Sequence, residues 1–186
     1  MKKLNLGCGK FKKEGYVNVD FLTDVDADIV HDLNKIPYPF PNDSFILIEA
    51  DHVLEHLDSP FCVMKELYRV ACNDASIVIK VPHFTRGFMH PEHKRGFDVT
   101  FGYYFNPSFK GGYQGIELIL ERVKLNWFAQ PYLKKQHMST IPFYGCLALS
   151  KCINFFANLN PFICSKIWCF WFGGFDEVEF QFIVKK

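Results

Sequence analysis

The feature that most constrains the fold of this chain is a nearly continuous apolar run at residues 45–50. A run of this length and composition is typical of a strand that is buried on both faces of a parallel sheet. Other strand-like runs lie on both sides of it, at residues 4–6, 16–20, 27–32 and 77–82. Strands that alternate with crossover connections predict a parallel α/β sheet with right-handed connections.

A helix is predicted between the fourth and fifth strands, and a last strand near the end of the chain. Ser59-Pro60 is a typical N-cap followed by a first helical residue, and apolar residues then recur at helical spacing up to Ala71. Polar and apolar residues alternate at residues 177–184, which predicts a strand. We interpret residues 116–127, where apolar and charged residues are mixed, as a helix that leads into a strand.

A segment with few charges lies before the last strand. Between residues 138 and 175 the only charged residues are Lys151 and Lys166. Asn154 and Asn158 fall with Lys151 on one face of a predicted helix, and the opposite face is apolar. Asn160-Pro161 predicts the start of a second helix.

The apolar face of these helices needs a partner. We expect the helices of residues 143–172 to pack on the sheet or on a second copy of the chain as a homo-oligomer. Peripheral membrane contact, or a lid over an apolar substrate, is the alternative. No apolar run reaches ~18 residues, so no transmembrane span is expected.

Composition restricts the class of protein. The 186 residues predict a single domain, residues 1–186. Lys and Arg total 21 against 20 Asp and Glu, so no nucleic-acid partner is expected. The seven cysteines are odd in number and form no CxxC pair, which favours reduced thiols and a cytoplasmic location.

A glycine turn follows the first predicted strand. Gly7 and Gly9 allow the backbone to approach a ligand with its amide groups, and Asp20 ends the next strand. A carboxylate at that position can accept both hydroxyls of a ribose. The spacing from Gly7 to Asp20 is shorter than the ~20 residues of dinucleotide-binding folds, which argues against an NAD domain.

These elements resemble, in order, the class I S-adenosylmethionine-dependent methyltransferases, and are similar to the type 11 group and to predicted methyltransferases of polysaccharide clusters. The resemblance covers about residues 4–84: residues 4–9 are similar to the first glycine motif, 15–20 to the ribose strand, and 45–57 to the fourth strand and its loop. It implies a Rossmann-like, doubly wound α/β sheet that is mostly parallel with an antiparallel last strand. An aromatic helical insertion is expected near the C-terminus.

The resemblance also implies the residues that bind the cofactor, S-adenosylmethionine. Gly7, Cys8 and Gly9 would lie under its methionine part, and Asp20 would hold the ribose. The third glycine of the family is replaced by Lys10-Phe11, which predicts a more open pocket.

The remaining cofactor contacts are assigned in the same way. Asp32 and Leu33 would contact the adenine, and the backbone near Asp51 would bind the methionine ammonium. Within the single domain, residues 4–84 form the cofactor-binding half, residues 85–175 an acceptor and cap region, and residues 177–186 the final strand.

A second motif competes with this interpretation. His52, Glu55 and His56 form an H-x-x-E-H pattern, in which two histidines bind zinc and the glutamate is the general base of a hydrolase. A zinc peptidase needs a third ligand and a different architecture, so we expect no metal and treat a zinc hydrolase as the lesser alternative.

Two histidines are the candidate catalytic residues. His83 opens a dense polar group after the fifth strand, in which a general base or a metal cluster is conceivable, and His52 follows the fourth strand. The other members of the polar group are Arg86, His90, Glu92, His93, Lys94 and Arg95.

The sequence therefore predicts a cytoplasmic methyltransferase that acts on a small-molecule or glycan-type acceptor. A non-catalytic binding or assembly protein that keeps a nucleotide-type sheet is the alternative from another class.

Overall fold

The computed structural model describes residues 2–171 and 173–186. Seven strands form one sheet. They are β1 (Lys2–Leu6), β2 (Val17–Asp20), β3 (Ile29–Val30), β4 (Phe45–Asp51), β5 (Ala71–Pro82), β6 (Leu118–Asn126) and β7 (Glu177–Val184). Their order across the sheet is β3-β2-β1-β4-β5-β7-β6. Strands β1 to β5 pair in parallel and β7 is antiparallel to both of its neighbours, which confirms the predicted fold class.

The helices are concentrated in the second half of the chain. They are α1 (Pro60–Val70), α2 (Phe84–Gly87), α3 (Pro131–Lys134), α4 (Thr140–Ala157) and α5 (Pro161–Lys166), with 3-10 turns at Val99–Phe105 and Trp168–Phe170. Ser59 caps α1 and Asn160 caps α5 through their side chains, as the sequence predicts. Over the described residues, no helix lies between β1 and β4. The connections from β1 to β2, from β2 to β3 and from β3 to β4 are therefore loops, at residues 7–16, 21–28 and 31–44.

The sheet has one apolar face and one polar face. On β7, Phe180 and Phe182 are fully buried, opposite Ile79 and Ile77 of β5. Aromatic residues of the 3-10 turn Val99–Phe105 pack edge-on against this pair. The apolar core therefore lies on the face that the second half of the chain covers.

The polar face carries a row of alternating charges. The strand registers place Asp51 beside Lys80, Lys80 beside Glu179, and Glu179 beside Lys124. Opposite charges in directly facing positions stabilise neighbouring strands. This row crosses four strands near the carboxyl end of β4.

The prediction of a helix within residues 116–127 is wrong. The segment forms strand β6, and a bulge between Leu120 and Arg122 shifts its register with β7. A bulge inserts one extra residue into the two-residue alternation of a strand, so the apolar pattern no longer has period 2. This irregularity explains why the pattern resembles a helix.

Helix α4 covers the outer edge of the sheet with its polar side. The Asn158 amide accepts a hydrogen bond from the Leu125 N–H at 2.8 Å and donates to the Leu125 carbonyl at 2.9 Å. Asn154 accepts from the Trp127 N–H at 2.8 Å. The apolar side points outward, with 64% of Phe155 and 68% of Leu159 exposed. The predicted helix exists, but its asparagines bind the sheet edge and only Ile153 and Ala157 near its end pack on the core, while much of the predicted apolar face is exposed.

None of the helices in the described part of the chain is both long and apolar enough to cross a bilayer.

We expect Asn158→Ala to lower the free energy of unfolding by about 1–3 kcal/mol, because it leaves the buried Leu125 N–H and C=O without partners. Urea denaturation measures the change. Lys151→Ala, at an exposed position of the same helix, is the control and should change stability by less than ~0.5 kcal/mol. Equal effects of the two substitutions would show that the amide does not protect the strand edge.

Candidate functional site

The predicted cofactor residues lie along one edge of the sheet. Parallel pairing aligns Leu6 of β1 with Val19 of β2 and with Ala50 of β4. The carboxyl ends of these strands therefore meet, as in other open α/β sheets where ligands bind at that edge. Gly7, Asp20, Asp51 and His83 end or directly follow β1, β2, β4 and β5, and Asp32 lies two residues beyond the end of β3.

The glycine turn and Asp20 form one hydrogen-bonded unit. Gly7 has a φ of +60° and Gly9 a φ of +49°, a region that disfavours other residues. The Gly9 N–H donates to Oδ2 of Asp20 at 2.8 Å, and the Leu22 N–H donates to Oδ1 at 3.0 Å. Asp20 is 5% exposed and Cys8 is buried between the strands. The turn is thus held against the carboxylate that sequence analysis assigns to a ribose.

Gly7 also meets a close neighbour. A Cβ at this position would lie 2.3 Å from Cγ2 of Val53, which belongs to the loop after β4. The absence of a side chain at Gly7 lets the first and fourth strand loops approach each other.

Asp32 and Leu33 lie beyond the two-residue strand β3. The half-exposed Asp32 accepts a hydrogen bond from the Asn34 N–H at 3.0 Å. Leu33 is buried, and its carbonyl accepts a hydrogen bond from the Tyr38 hydroxyl at 3.1 Å. These hydrogen bonds with nearby residues hold Asp32 and Leu33 in place at the outer part of the candidate site.

Asp51 holds two primary ammonium groups. Its Oδ1 lies 3.2 Å from Nζ of Lys80, and its Oδ2 lies 3.3 Å from Nζ of Lys13. Burial alone would raise the pKa of Asp51, but the two lysines lower it below its usual value. Lys13 also pairs with Glu49 at 3.1 Å, so it spans from the glycine-turn segment to the end of β4.

His52 is held by two carboxylates. Its Nε2 donates to Glu177 at 2.9 Å, Nδ1 lies 3.3 Å from Glu55, and Asn126 donates to the other Glu177 oxygen at 2.5 Å. Burial lowers the pKa of His52, but these contacts outweigh burial and raise the pKa to about 9. The side chain is therefore a cation at neutral pH, a charge state that does not suit a catalytic base.

A cleft of about 360 Å³ opens beside Asp51 and His52. Its wall contains charged and amide groups from β5, β6 and β7, and two aromatic rings from the segment around α3. Phe11 of the glycine-turn segment contacts Tyr132 edge-on at 5.2 Å between ring centroids, so this contact joins the two sides of the site. Besides Asp51 and His52, the side chains that line the cleft include Lys80, Asn126, Phe128, Tyr132, Glu177 and Glu179.

His83 does not have the exposure of a general base. It is 0% exposed, and its ring nitrogens are hydrogen-bonded to the hydroxyls of Thr85 at 2.7 Å and Ser165 at 2.8 Å. Burial lowers the pKa of His83 to about 4, so the ring is neutral. Because solvent and substrate cannot reach it in this structure, we assign His83 a structural role that ties β5 to α5.

The H-x-x-E-H motif does not form the metal site that its spacing predicts. His52 is engaged with Glu177, whereas Glu55 and His56 group with His93 from the loop after α2. The three predicted hydrolase residues are therefore not brought together as a ligand set within the described residues.

Sequence reasoning missed Lys13, Lys80 and Glu177. Lys80 carries a signal, because it is the lone charge in the otherwise apolar run of residues 77–82. Glu177 has no comparable signal, since its contact with His52 depends on how the antiparallel strand β7 is inserted beside β5.

Comparison with known proteins gives matches in fold and none in sequence. No family model matches the chain, and no curated protein matches it. A solved S-adenosylmethionine-dependent methyltransferase from Archaeoglobus fulgidus is similar in fold, with a TM-score of 0.56, 15% identity, and coverage of 98% of this chain and 85% of that one. One from Mesorhizobium loti has a TM-score of 0.55, 12% identity, and coverage of 98% and 90%.

A third solved structure widens the range of reactions on this fold. The [4+2]-cyclase SpnF has a TM-score of 0.57, 10% identity, and coverage of 99% of this chain and 74% of its own. These likenesses establish that the chain has the fold of the class I S-adenosylmethionine-dependent methyltransferases. The fold does not by itself determine the reaction.

We expect Gly7→Ala to destabilise the protein by at least ~1 kcal/mol more than Gly15→Ala, because only the first adds a clash with Val53 to the cost of a positive φ. Thermal or urea unfolding measures both. In a double-mutant cycle, Gly7→Ala should cost ~1 kcal/mol less stability when Val53→Ala is also present, because the shorter side chain removes the clash. Simple additivity of the two changes would show that the close approach is not the cause.

Proposed function

We propose that the protein transfers a methyl group from S-adenosylmethionine to a small-molecule or glycan-type acceptor. The observation that carries the proposal is the hydrogen-bonded unit of the glycine turn and Asp20, at the sheet edge where the other predicted cofactor residues also lie. The fold shared with S-adenosylmethionine-dependent methyltransferases supports the same cofactor.

The residues present fit this cofactor. A Cβ at Gly9 would meet nothing within 4 Å, so the turn is open there for the backbone to meet the cofactor, and Asp20 beside it would accept from the ribose hydroxyls. Asp51 already pairs with two lysine ammonium groups, which is the chemistry needed for the methionine ammonium. Lys13 would leave Asp51 when the cofactor enters, and Glu49 remains as its partner.

Asp32 and Leu33 complete the proposed set on the adenine side. The exposed Asp32 carboxylate can accept from an amino group, while the buried Leu33 offers an apolar contact.

Bound S-adenosylmethionine supplies a methyl group that its sulfonium already activates. The chain's task is then to hold the acceptor in line at ~3 Å and to exclude water. In the cleft, His52 and Asn126 offer N–H donors and Glu177 and Glu179 offer acceptors, which suit the hydroxyls of a polar acceptor.

The aromatic rings of Phe128 and Tyr132 provide a flat surface for the ring of such an acceptor. With His52 held as a cation, Glu177 is the group placed to orient an acceptor proton. In place of His83 and His52 as catalytic residues, we therefore propose a positioning network of His52, Glu177 and Asn126.

We expect the purified chain to bind S-adenosylmethionine and S-adenosylhomocysteine with micromolar affinity, and NAD not at all, in isothermal titration. Asp20→Ala should weaken binding about 10–150-fold, because charge-assisted hydrogen bonds contribute ~1.5–3 kcal/mol. Asp24→Ala, an exposed carboxylate in the following loop, is the matched control and should leave the affinity unchanged.

Two outcomes separate the proposal from its alternative. Unchanged affinity in Asp20→Ala would remove Asp20 from the site. Binding without turnover on small-molecule and glycan acceptors would favour the non-catalytic binding protein, and no binding of either cofactor form would contradict the methyltransferase.

We further propose that the outward apolar side of α4 forms a homo-oligomer in the cytosol, where the seven free cysteines would stay reduced. The face comes from the predicted interface region 143–172, of which residue 172 lies outside the described residues. Its exposed side chains include Leu149, Phe155, Phe156 and Leu159.

Light scattering after gel filtration tests this assembly. The wild-type chain should give the mass of a dimer or larger oligomer, and Phe155→Glu with Leu159→Glu should give a monomer. A monomeric wild-type chain would contradict the oligomer, and binding to lipid vesicles would then favour membrane contact.

A further inference from the structure

Glu55 is a buried carboxyl group whose hydrogen-bonding capacity is not used. It is 0% exposed, and neither Oε1 nor Oε2 has a hydrogen-bond partner among the described residues. The Nδ1 of His52 lies 3.3 Å from Oε1 and forms an ion pair with it, but outside hydrogen-bonding geometry. A buried carboxylate with one ion-pair partner and no hydrogen bond is costly, so a further contact would stabilise this position.

Two histidine side chains lie at the same place. The Nε2 of His93 is 3.9 Å from Oε1 of Glu55, and the rings of His56 and His93 are 4.8 Å apart between centroids. One ligand atom from each of Glu55, His56 and His93 lies within 4.8 Å of the others. The group joins the loop after β4 to the loop after α2.

Backbone carbonyls fix the tautomers of both histidines. The Nδ1–H of His93 donates to the Gly87 carbonyl at 2.6 Å, and the Nδ1–H of His56 donates to the Glu92 carbonyl at 3.3 Å. In the neutral imidazole with its proton on Nδ1, the lone pair for a metal ion is on Nε2. This arrangement is the one that orients histidine ligands in metal sites, where the second ring nitrogen bonds to a carbonyl.

The ligand set selects a class of ion. Two imidazoles and one carboxylate with open positions bind zinc in hydrolases and iron(II) in oxygenases, whereas Mg²⁺ and Ca²⁺ prefer oxygen ligands alone. Bonds of ~2.0–2.2 Å require the ligand atoms to lie roughly 3–3.5 Å apart, so the side chains need to approach by about 1 Å. Both histidines are on loops and are only partly buried, which permits this adjustment.

We propose that Glu55, His56 and His93 bind a divalent transition-metal ion. The proposal is independent of methyl transfer, and it differs from the hydrolase pattern because His52 is not a ligand. A hydrogen bond from the Lys94 N–H to the Glu55 carbonyl at 2.9 Å already joins the two loops. The ion would fasten them further, next to the cleft that His52 lines.

Zinc titration of the full chain after treatment with a chelator tests the site. We expect about one Zn²⁺ per chain by calorimetry and elemental analysis, and no comparable binding of Mg²⁺. Removing a residue that only hydrogen-bonds to a metal ligand lowers metal affinity about 10–100-fold. Removing a ligand itself should lower it further, so Glu55→Gln, His56→Ala and His93→Ala should each weaken Zn²⁺ binding at least ~100-fold. His137→Ala, an exposed histidine elsewhere, should have no effect.

Two controls keep the result interpretable. Circular dichroism and thermal unfolding of the metal-free variants identify any variant that fails to fold. Because His56 is partly exposed, His56→Ala is the variant expected to fold, and its Zn²⁺ affinity then tests the site. The free cysteines are the competing ligands, and thiolate bands in the spectrum of the Co²⁺ form would reveal them. Absence of stoichiometric zinc, or affinity that survives all three substitutions, would overturn the proposal.

Discussion

The parallel hydrogen-bond ladder between β1 and β4 is the interaction on which the rest of the structure depends. It aligns Leu6 with Ala50, so the glycine turn and Asp51 leave the sheet at the same level. The close approach of Gly7 to Val53 is possible because no side chain separates the two loops. The proposed cofactor and acceptor regions then adjoin at one edge without any helix between β1 and β4 in the described chain.

A row of alternating charges gives the polar face of the sheet its character. From Asp51 to Lys124, residues in directly facing positions on neighbouring strands carry opposite charges. The same row provides Lys80 to Asp51 and brings Glu179 to the cleft. One set of side chains therefore stabilises the sheet and gives the candidate site its polarity.

Much of the fold could be predicted from sequence, because the apolar runs, Ser59-Pro60 and Asn160-Pro161 are local signals. The bulge in β6 could not, since an extra residue removes the period of a strand. The site was harder for another reason. His52 meets Glu177 across 125 positions and His83 meets Ser165 across 82, so their roles depend on long-range packing that no local pattern encodes.

The asparagines of α4 have a consequence for how copies of this chain can meet. Edge strands are the usual places where sheets extend from one molecule to the next. Asn158 occupies the N–H and C=O of Leu125 in β6, Asn154 occupies the N–H of Trp127 just beyond that strand, and β3 at the other end is only two residues long. At these places contacts between copies would rely on side chains, which individual substitutions strengthen, weaken or abolish without altering the backbone pairing inside either molecule.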